Sequence, residues 1–316
     1  MTEHMRAVRI HNFGGTEVLQ HADDAPVPVL GPGEILVRVH ASAVNPLDVG
    51  VRQGGFDFTH HPFPMTLGWE FAGTVERLGT ATTDLRVGDR VFGRPALHRD
   101  GTYAEFVAVD PAHIARAPES LPLPEAAALP LTAQTAWKAL FEIGGLSAGQ
   151  TVLILGGSGG VGTVALQLAR HAGATVVTTA SGDGITLARS LGADEVIDYR
   201  TGELAARGRF ADVVFDTVGG DTLEAAYDSV VPGGHLITIA GAPDAERADR
   251  EGIHAAGFVL ESDGQRLGKI AALVDAGKLR PVIQRTFDLG EADQAHKAME
   301  AGHLRGKIIL NVTTQR

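Results

Sequence analysis

Thr151-Val-Leu-Ile-Leu-Gly-Gly-Ser-Gly-Gly-Val-Gly162, running on into Thr163-Val-Ala-Leu-Gln-Leu-Ala-Arg170, decides the fold. The opening run is apolar and β-branched and reads as a buried strand. Five glycines crowd the turn, and Val164, Leu166, Leu168 and Ala169 lead into a helix with no further breaker. Gly157, Ser158, Gly159, Gly160, Val161 and Gly162 satisfy the G-x-G-x-x-G spacing in the strand–turn–helix setting that its mechanism requires. Glycine permits the tight turn and the close approach of a pyrophosphate. The helix N-terminus then offers free N–H groups and the positive end of its dipole.

Downstream, Thr175–Ala180, Glu195–Asp198, Ala211–Asp216 and Gly234–Ile239 read as strands, alternating with helical segments near 160–172, 184–192, 201–207 and 221–230. That alternation predicts a doubly wound parallel sheet. Ala255–Leu260 is read as its last strand, followed by helices near 264–276 and 290–301 and strands at Val282–Phe287 and Lys307–Val312. Upstream, Ala7–Ile10, Glu34–Val39, Gly73–Glu76, Arg90–Phe92 and Ala104–Val109 are short strands separated by Gly and Pro turns, the pattern of a barrel or sandwich. Pro-rich Ala117–Pro124 reads as a crossing between domains, and Glu125 opens a helical stretch to about Ile143.

The 316 residues suit two domains, and 44% hydrophobic content suits a large core. A net charge of −11 argues against nucleic acid as a partner. With no cysteine there are no disulfides and no thiolate zinc sites. No run approaches a membrane span and Met1–Arg6 has no apolar signal core, so a soluble cytoplasmic protein without a membrane partner is expected.

The end of the second nucleotide-fold strand selects the dinucleotide. A carboxylate there binds the ribose hydroxyls of NAD and repels a 2′-phosphate. Here the position holds Ala180-Ser181, which favours NADPH; Asp183, two residues on, belongs to the next loop or helix cap. Tyr199 and Arg200 offer a phenol and a guanidinium to the phosphate, or are plain surface residues.

Further motifs add a resemblance. Asn45-Pro-Leu-Asp48 with Arg52, Leu67–Gly73, Val87–Gly93, Gly101–Glu105, Ala126–Trp137, Leu191–Tyr199, Asp216–Gly220 and Gly306–Leu310 stand in order along the chain. Together with the glycine turn they resemble the medium-chain dehydrogenase/reductase superfamily, in its zinc-free quinone oxidoreductase (zeta-crystallin-like) family. The resemblance implies an α/β architecture: a GroES-like β-rich catalytic domain (1–124), a Rossmann NADP-binding domain (125–260), and a C-terminal segment (261–316) returning to the catalytic domain. It also implies a homodimer paired near Phe258–Leu260.

Zinc-dependent relatives place a cysteine where this chain has Asn45, a His-Glu pair at Trp69-Glu70, and a cysteine near Leu131; one carboxylate does not hold a tetrahedral metal. His60-His61 reads as an exposed loop. The resemblance therefore implies metal-free hydride transfer from NADPH to a quinone or an α,β-unsaturated carbonyl. It places Asn45 beside the nicotinamide, where it orients substrate or ribose; the other reading of Asn45 is a cap before Pro46. Positions that carry tyrosine in some relatives fall at Gly50 and Phe56, leaving proton delivery to water or a cofactor hydroxyl and a pocket role to Phe56 and Phe58. By the same resemblance Thr135, Val218, Gly219, Ala240, Gly241, Phe258 and Lys307 join Ser181 and Tyr199 as cofactor contacts, Phe258 being equally a core or interface aromatic. Gly184 stands where relatives often carry Lys or Asn, which implies weaker 2′-phosphate binding. Two other readings remain: a cofactor-binding protein with little catalysis, and an NAD-linked alcohol dehydrogenase.

Overall fold

The computed structural model describes residues 4–56, 62–80 and 83–313; Phe58 and His60-His61 lie outside them. The chain divides into two compact units, one of residues 1–131, 262–276 and 281–316, the other of 132–261 and 277–280.

In the first unit the strands are β1 (His4–Ile10), β2 (Gln20–Pro26), β3 (Ile35–Val44), β4 (Met65–Thr66), β5 (Phe71–Leu78), β6 (Arg90–Gly93), β7 (Phe106–Val109) and β8 (Ile114–Arg116). The second unit contributes β9 (Thr151–Leu155), β10 (Thr175–Ala180), β11 (Glu195–Asp198), β12 (Ala211–Asp216), β13 (Val230–Thr238) and β14 (His254–Gly257). The chain then returns to the first unit with β15 (Ile283–Asp288) and β16 (Lys307–Asn311).

A seven-stranded sheet, in the order β15-β16-β3-β5-β6-β8 with β7 also on β3, carries the first unit's core. Val37, Val39, Phe71, Val91, Ile308 and Leu310 pack there with Trp69 and Tyr103. The return is a matter of register: β16 runs antiparallel to β3, with Ile308 opposite Val44 and Leu310 opposite Ser42. This is the GroES-like unit.

The second unit is a six-stranded parallel sheet in the order β11-β10-β9-β12-β13-β14, the Rossmann arrangement. The strand order reverses between β9 and β12, and the glycine turn leaves β9 at that switch point. Leu153, Leu155, Val177, Val214 and Leu236 fill one face.

Several elements differ from expectation. Residues 123–143 are not one helix but the segments Leu123–Ala126 and Pro130–Trp137, then a π-helical stretch, Lys138–Ile143. Pro130 has no N–H to continue a helix from before it, so a new one starts there. The chain leaves the first unit after Leu131 rather than after Pro124, and Leu131 N donates to Glu70 Oε2 at 2.8 Å within that unit. β14 ends at Gly257, so Phe258 follows the strand, its ring 5.4 Å from the Lys138 ammonium.

Candidate active site

The glycine turn is built to admit a phosphate. Gly156 has φ +85°, a region that favours glycine, and turns the chain out of β9. A Cβ on Gly157 would lie 2.1 Å from Thr178 Oγ1, and one on Gly162 would lie 2.2 Å from Gly156 O. Thr178 is fixed by donating to Ile154 O at 2.6 Å. The helix Gly160–His171 starts from Gly159, and no side chain caps the amides of its first turn. These residues fit a pyrophosphate.

At the end of β10, Ser181 Oγ donates to Tyr199 Oη at 2.9 Å, so two of the expected 2′-phosphate contacts stand side by side. Arg200 instead donates through Nε to Asp198 Oδ1 at 2.9 Å, and that ion pair holds Asp198 down at about 2. Asp183 is the first residue of the next helix, Asp183–Ser190. Gly184 packs against Ser158, where a Cβ would lie 3.0 Å from both Cβ and Oγ of the serine.

Across the switch point, the buried Asp216 ends β12 and organises the next turn. It accepts from Val218 N at 3.0 Å, from Gly219 N at 3.1 Å and from Thr238 Oγ1 at 2.8 Å. Gly219, at φ +79°, approaches so closely that a Cβ would sit 2.2 Å from Ala240 O. Gly219, next to Val218, thus lies against Ala240, next to Gly241, and Asp216, which sequence reasoning did not single out, fixes that turn. Its signal was an Asp at a strand end before Val-Gly-Gly. Thr135 is buried in the helix Pro130–Trp137.

In the first unit Asn45, Glu70 and Leu131, which the resemblance matches to the metal-ligand region of zinc relatives, converge, and Glu70 is the one carboxylate among them. Asn45 Nδ2 donates to Glu70 Oε1 at 2.8 Å, and Leu131 N donates to Glu70 Oε2. Lys307 Nζ enters the same cluster, donating to Glu70 Oε1 at 2.7 Å, Asn45 Oδ1 at 2.5 Å and Val44 O at 3.2 Å. Three donations exhaust an ammonium. Lys307, expected among the cofactor contacts, is therefore engaged inside its own unit. Among the described residues no group of three or more His, Cys, Asp or Glu could hold a metal ion.

Asn45 also caps the helix Pro46–Arg52 in a capping box with Asp48, and Asn45 N donates to Asp48 Oδ2 at 2.7 Å. The capping reading of Asn45 is thus met in the box with Asp48, while its carboxamide is bonded to Glu70 and Lys307. Burial raises Asp48 to about 7, opposed by the Asn45 N–H and Lys307 and reinforced by Glu70. Arg94, buried and donating to Trp69 O at 3.0 Å, is lowered by desolvation to about 10 and keeps its charge at neutral pH. The Phe56 ring fills the space over Gly50, where a Cβ would lie 2.2 Å from it. A tyrosine at residue 50 would collide with that ring.

Two family models match: the alcohol dehydrogenase GroES-like domain over residues 31–119, and the zinc-binding dehydrogenase model over residues 191–310. The NAD(P)H oxidoreductase RTN4IP1, mitochondrial, of Mus musculus is 35% identical over 98% of this chain and 89% of its own. The NADPH-dependent alkenal/one oxidoreductase, chloroplastic, of Arabidopsis thaliana is 34% identical over 97% of this chain and 79% of its own. Among solved structures, the quinone oxidoreductase from Coxiella burnetii superposes with a TM-score of 0.92 at 33% identity, covering 98% of this chain and all of its own. The chain belongs to the medium-chain dehydrogenase/reductase superfamily, in the family of the quinone oxidoreductases.

Proposed function

We propose that the protein is an NADPH-dependent reductase of quinones or α,β-unsaturated carbonyls that works without a metal. The observation that carries this reading is the Asn45–Glu70–Lys307 cluster, in which an amide, a carboxylate and an ammonium satisfy one another where metal ligands would converge. The Ser181–Tyr199 pair, with no carboxylate at the end of β10, supports NADPH over NADH, as does the cofactor named for the Arabidopsis relative.

When bound, NADPH supplies a hydride. The chain's own part is to seat it and to hold the acceptor. Gly157, Ser158, Gly159, Gly160, Val161 and Gly162 present backbone amides to the pyrophosphate, and Val218, Gly219, Ala240 and Gly241, with Thr135, line the same ligand. Asn45 and Lys307 fix the polar floor rather than transfer a proton. Reduction of a conjugated carbonyl leaves negative charge on its oxygen, which hydrogen-bond donors must meet. The Phe56 ring over Gly50 leaves a hydrocarbon wall there, and the proton comes from water or a cofactor hydroxyl. Phe258, over Lys138, takes the role of a packing aromatic in this scheme. A homodimer and cytoplasmic residence belong to the same proposal, although two relatives carry mitochondrial and chloroplastic in their names. Among the described residues no helix is long and apolar enough to cross a membrane.

NADPH oxidation followed at 340 nm with a panel of benzoquinones, naphthoquinones and alkenones tests the proposal, with turnover of at least one class expected. Among the described residues no hydroxyl is hydrogen-bonded to Asn45, which favours a second reading, NADPH binding with little catalysis. Its signature would be a clear thermal shift with NADPH and no turnover across the panel.

A further inference from the structure

His235 on β13 and His254 on β14 are register partners in a parallel strand pair. β14 is the outermost strand of the Rossmann sheet. Neighbouring strands lie about 4.8 Å apart, so partner side chains on one face run side by side. The two imidazole centroids are 5.0 Å apart with the planes inclined by 34°. His235 is half-buried and His254 exposed. Neither ring has a hydrogen-bond or ion-pair partner among the described residues.

We propose that His235 and His254 form a two-imidazole site for a divalent transition-metal ion, of the class of Ni²⁺, Cu²⁺ or Zn²⁺, that pins the edge strand β14 to β13. Metal–nitrogen bonds of about 2.0–2.1 Å put each ring centre roughly 3.2 Å from the ion. At nitrogen–metal–nitrogen angles of about 90–110°, spanning the square-planar and tetrahedral cases, the ring centres then fall roughly 4.5–5.2 Å apart. The observed separation lies within that span. Imidazole suits these ions, and water completes the coordination. No third His, Cys, Asp or Glu joins the pair among the described residues, so the site is open to exchange. It lies in the Rossmann unit and takes no part in the Asn45–Glu70–Lys307 cluster.

Thermal unfolding of the tag-free, EDTA-treated chain with added NiCl₂ or ZnCl₂ tests this against His235→Gln and His254→Gln. The expected result is a saturable rise of roughly 2–4 °C in the wild type that either single substitution abolishes. A shift that survives His235→Gln but not His254→Gln means that one surface histidine binds alone, and overturns the proposal. So does a shift that survives both substitutions, or no shift in the wild type. Should a variant fail to fold, the Cu²⁺ electron paramagnetic resonance spectrum of the wild type decides. Superhyperfine splitting from two imidazole nitrogens is expected, and coupling to a single nitrogen overturns the pair.

Discussion

Lys307 Nζ lies 2.7 Å from Glu70 Oε1, with 5% and 0% of the two side chains exposed. The pair ties the start of β16 to the residue before β5, 237 positions away in sequence. Glu70 keeps two further donors, Asn45 Nδ2 and Leu131 N. Removing one partner of a buried ion pair costs about 3–5 kcal/mol, because the other charge stays buried and uncompensated. Lys307→Met is therefore expected to lose stability on that scale in urea denaturation. Adding Glu70→Gln, which keeps an acceptor for Leu131 N, should recover much of it. A loss below about 1 kcal/mol in the single variant would mean that the pair holds nothing together.

Gly162 and Gly159 should separate folding from ligand contact. A Cβ on Gly162 meets Gly156 O at 2.2 Å, backbone against backbone, so the turn must move. Gly162→Ala is expected to cost about 1–3 kcal/mol and to erase the NADPH-induced thermal shift. A Cβ on Gly159 has its nearest neighbour at 3.4 Å, at an ordinary φ of −76°. Gly159→Ala should lose no more than about 1 kcal/mol as a cap change. Any larger drop in NADPH affinity then reports the phosphate itself. Equal behaviour of the two variants in both measurements would contradict this geometry.

What the sequence disclosed tracks burial. β10 and β12 are readable to the residue because inner parallel strands buried on both faces are runs of β-branched and apolar residues. β11, by contrast, is an outermost strand with only Ile197 buried. β2, Gln-His-Ala-Asp-Asp-Ala-Pro, is an edge strand with only Ala25 buried, and carries no such run. The helix Ala245–Glu251 is likewise polar nearly all round, with Ala248 alone buried. The cofactor turn is local, and spacing reveals it. The Glu70 cluster is not local: Asn45, Leu131 and Lys307 meet only because β16 returns to pair with β3. Asn45, Glu70 and Leu131 stood in the sequence as positions matched to metal ligands and Lys307 as a cofactor contact, but the pairing of the lysine with the glutamate was not legible there.

Gly184 and Ser158 are coupled in space, and cofactor choice should feel it. Gly184 is buried in the first turn of its helix, facing Ser158 at 3.0 Å and Ala180 Cβ at 3.6 Å from the place of an added Cβ. A lysine there adds a cation near the Ser181–Tyr199 pair but must displace Ser158 to fit. Gly184→Lys combined with Ser158→Gly is expected to raise the ratio of the NADH to the NADPH dissociation constant about tenfold, the value of one charge-assisted hydrogen bond of about 1.5 kcal/mol. The single variant should gain less. Calorimetric titration of both nucleotides measures it, and an unchanged ratio in the double variant would place the 2′-phosphate elsewhere.

Asp48 and His296 are expected to hide each other's pH dependence. Burial raises Asp48 from 3.8 to about 7. Burial, with the Arg52 charge behind it, lowers His296 from 6.5 to about 3. The Tyr103 hydroxyl lies 3.1 Å from His296 Nε2, and its own pKa is raised by burial and by Asp48. Between pH 4 and 6.5 the folded chain keeps a proton on Asp48 that the unfolded chain releases, so this group makes stability fall as pH rises. Over the same window the unfolded chain holds a proton on His296 that the folded chain lacks, so that group makes stability rise with pH. One proton on each side cancels, and the wild type is expected to be nearly flat in their joint contribution. Asp48→Asn keeps an acceptor for Asn45 N and removes one slope. Its stability should climb by about 3–4 kcal/mol relative to the wild-type trend from pH 4 to 6.5, at 1.36 kcal/mol per unit. His296→Gln keeps a partner for Tyr103 and removes the other, so its stability should fall by a similar amount toward pH 7. Urea midpoints of the two single variants and the double variant at pH 4.5, 5.5, 6.5 and 7.5 measure the trends. Parallel curves for wild type and both single variants would mean that neither group titrates out of its ordinary range.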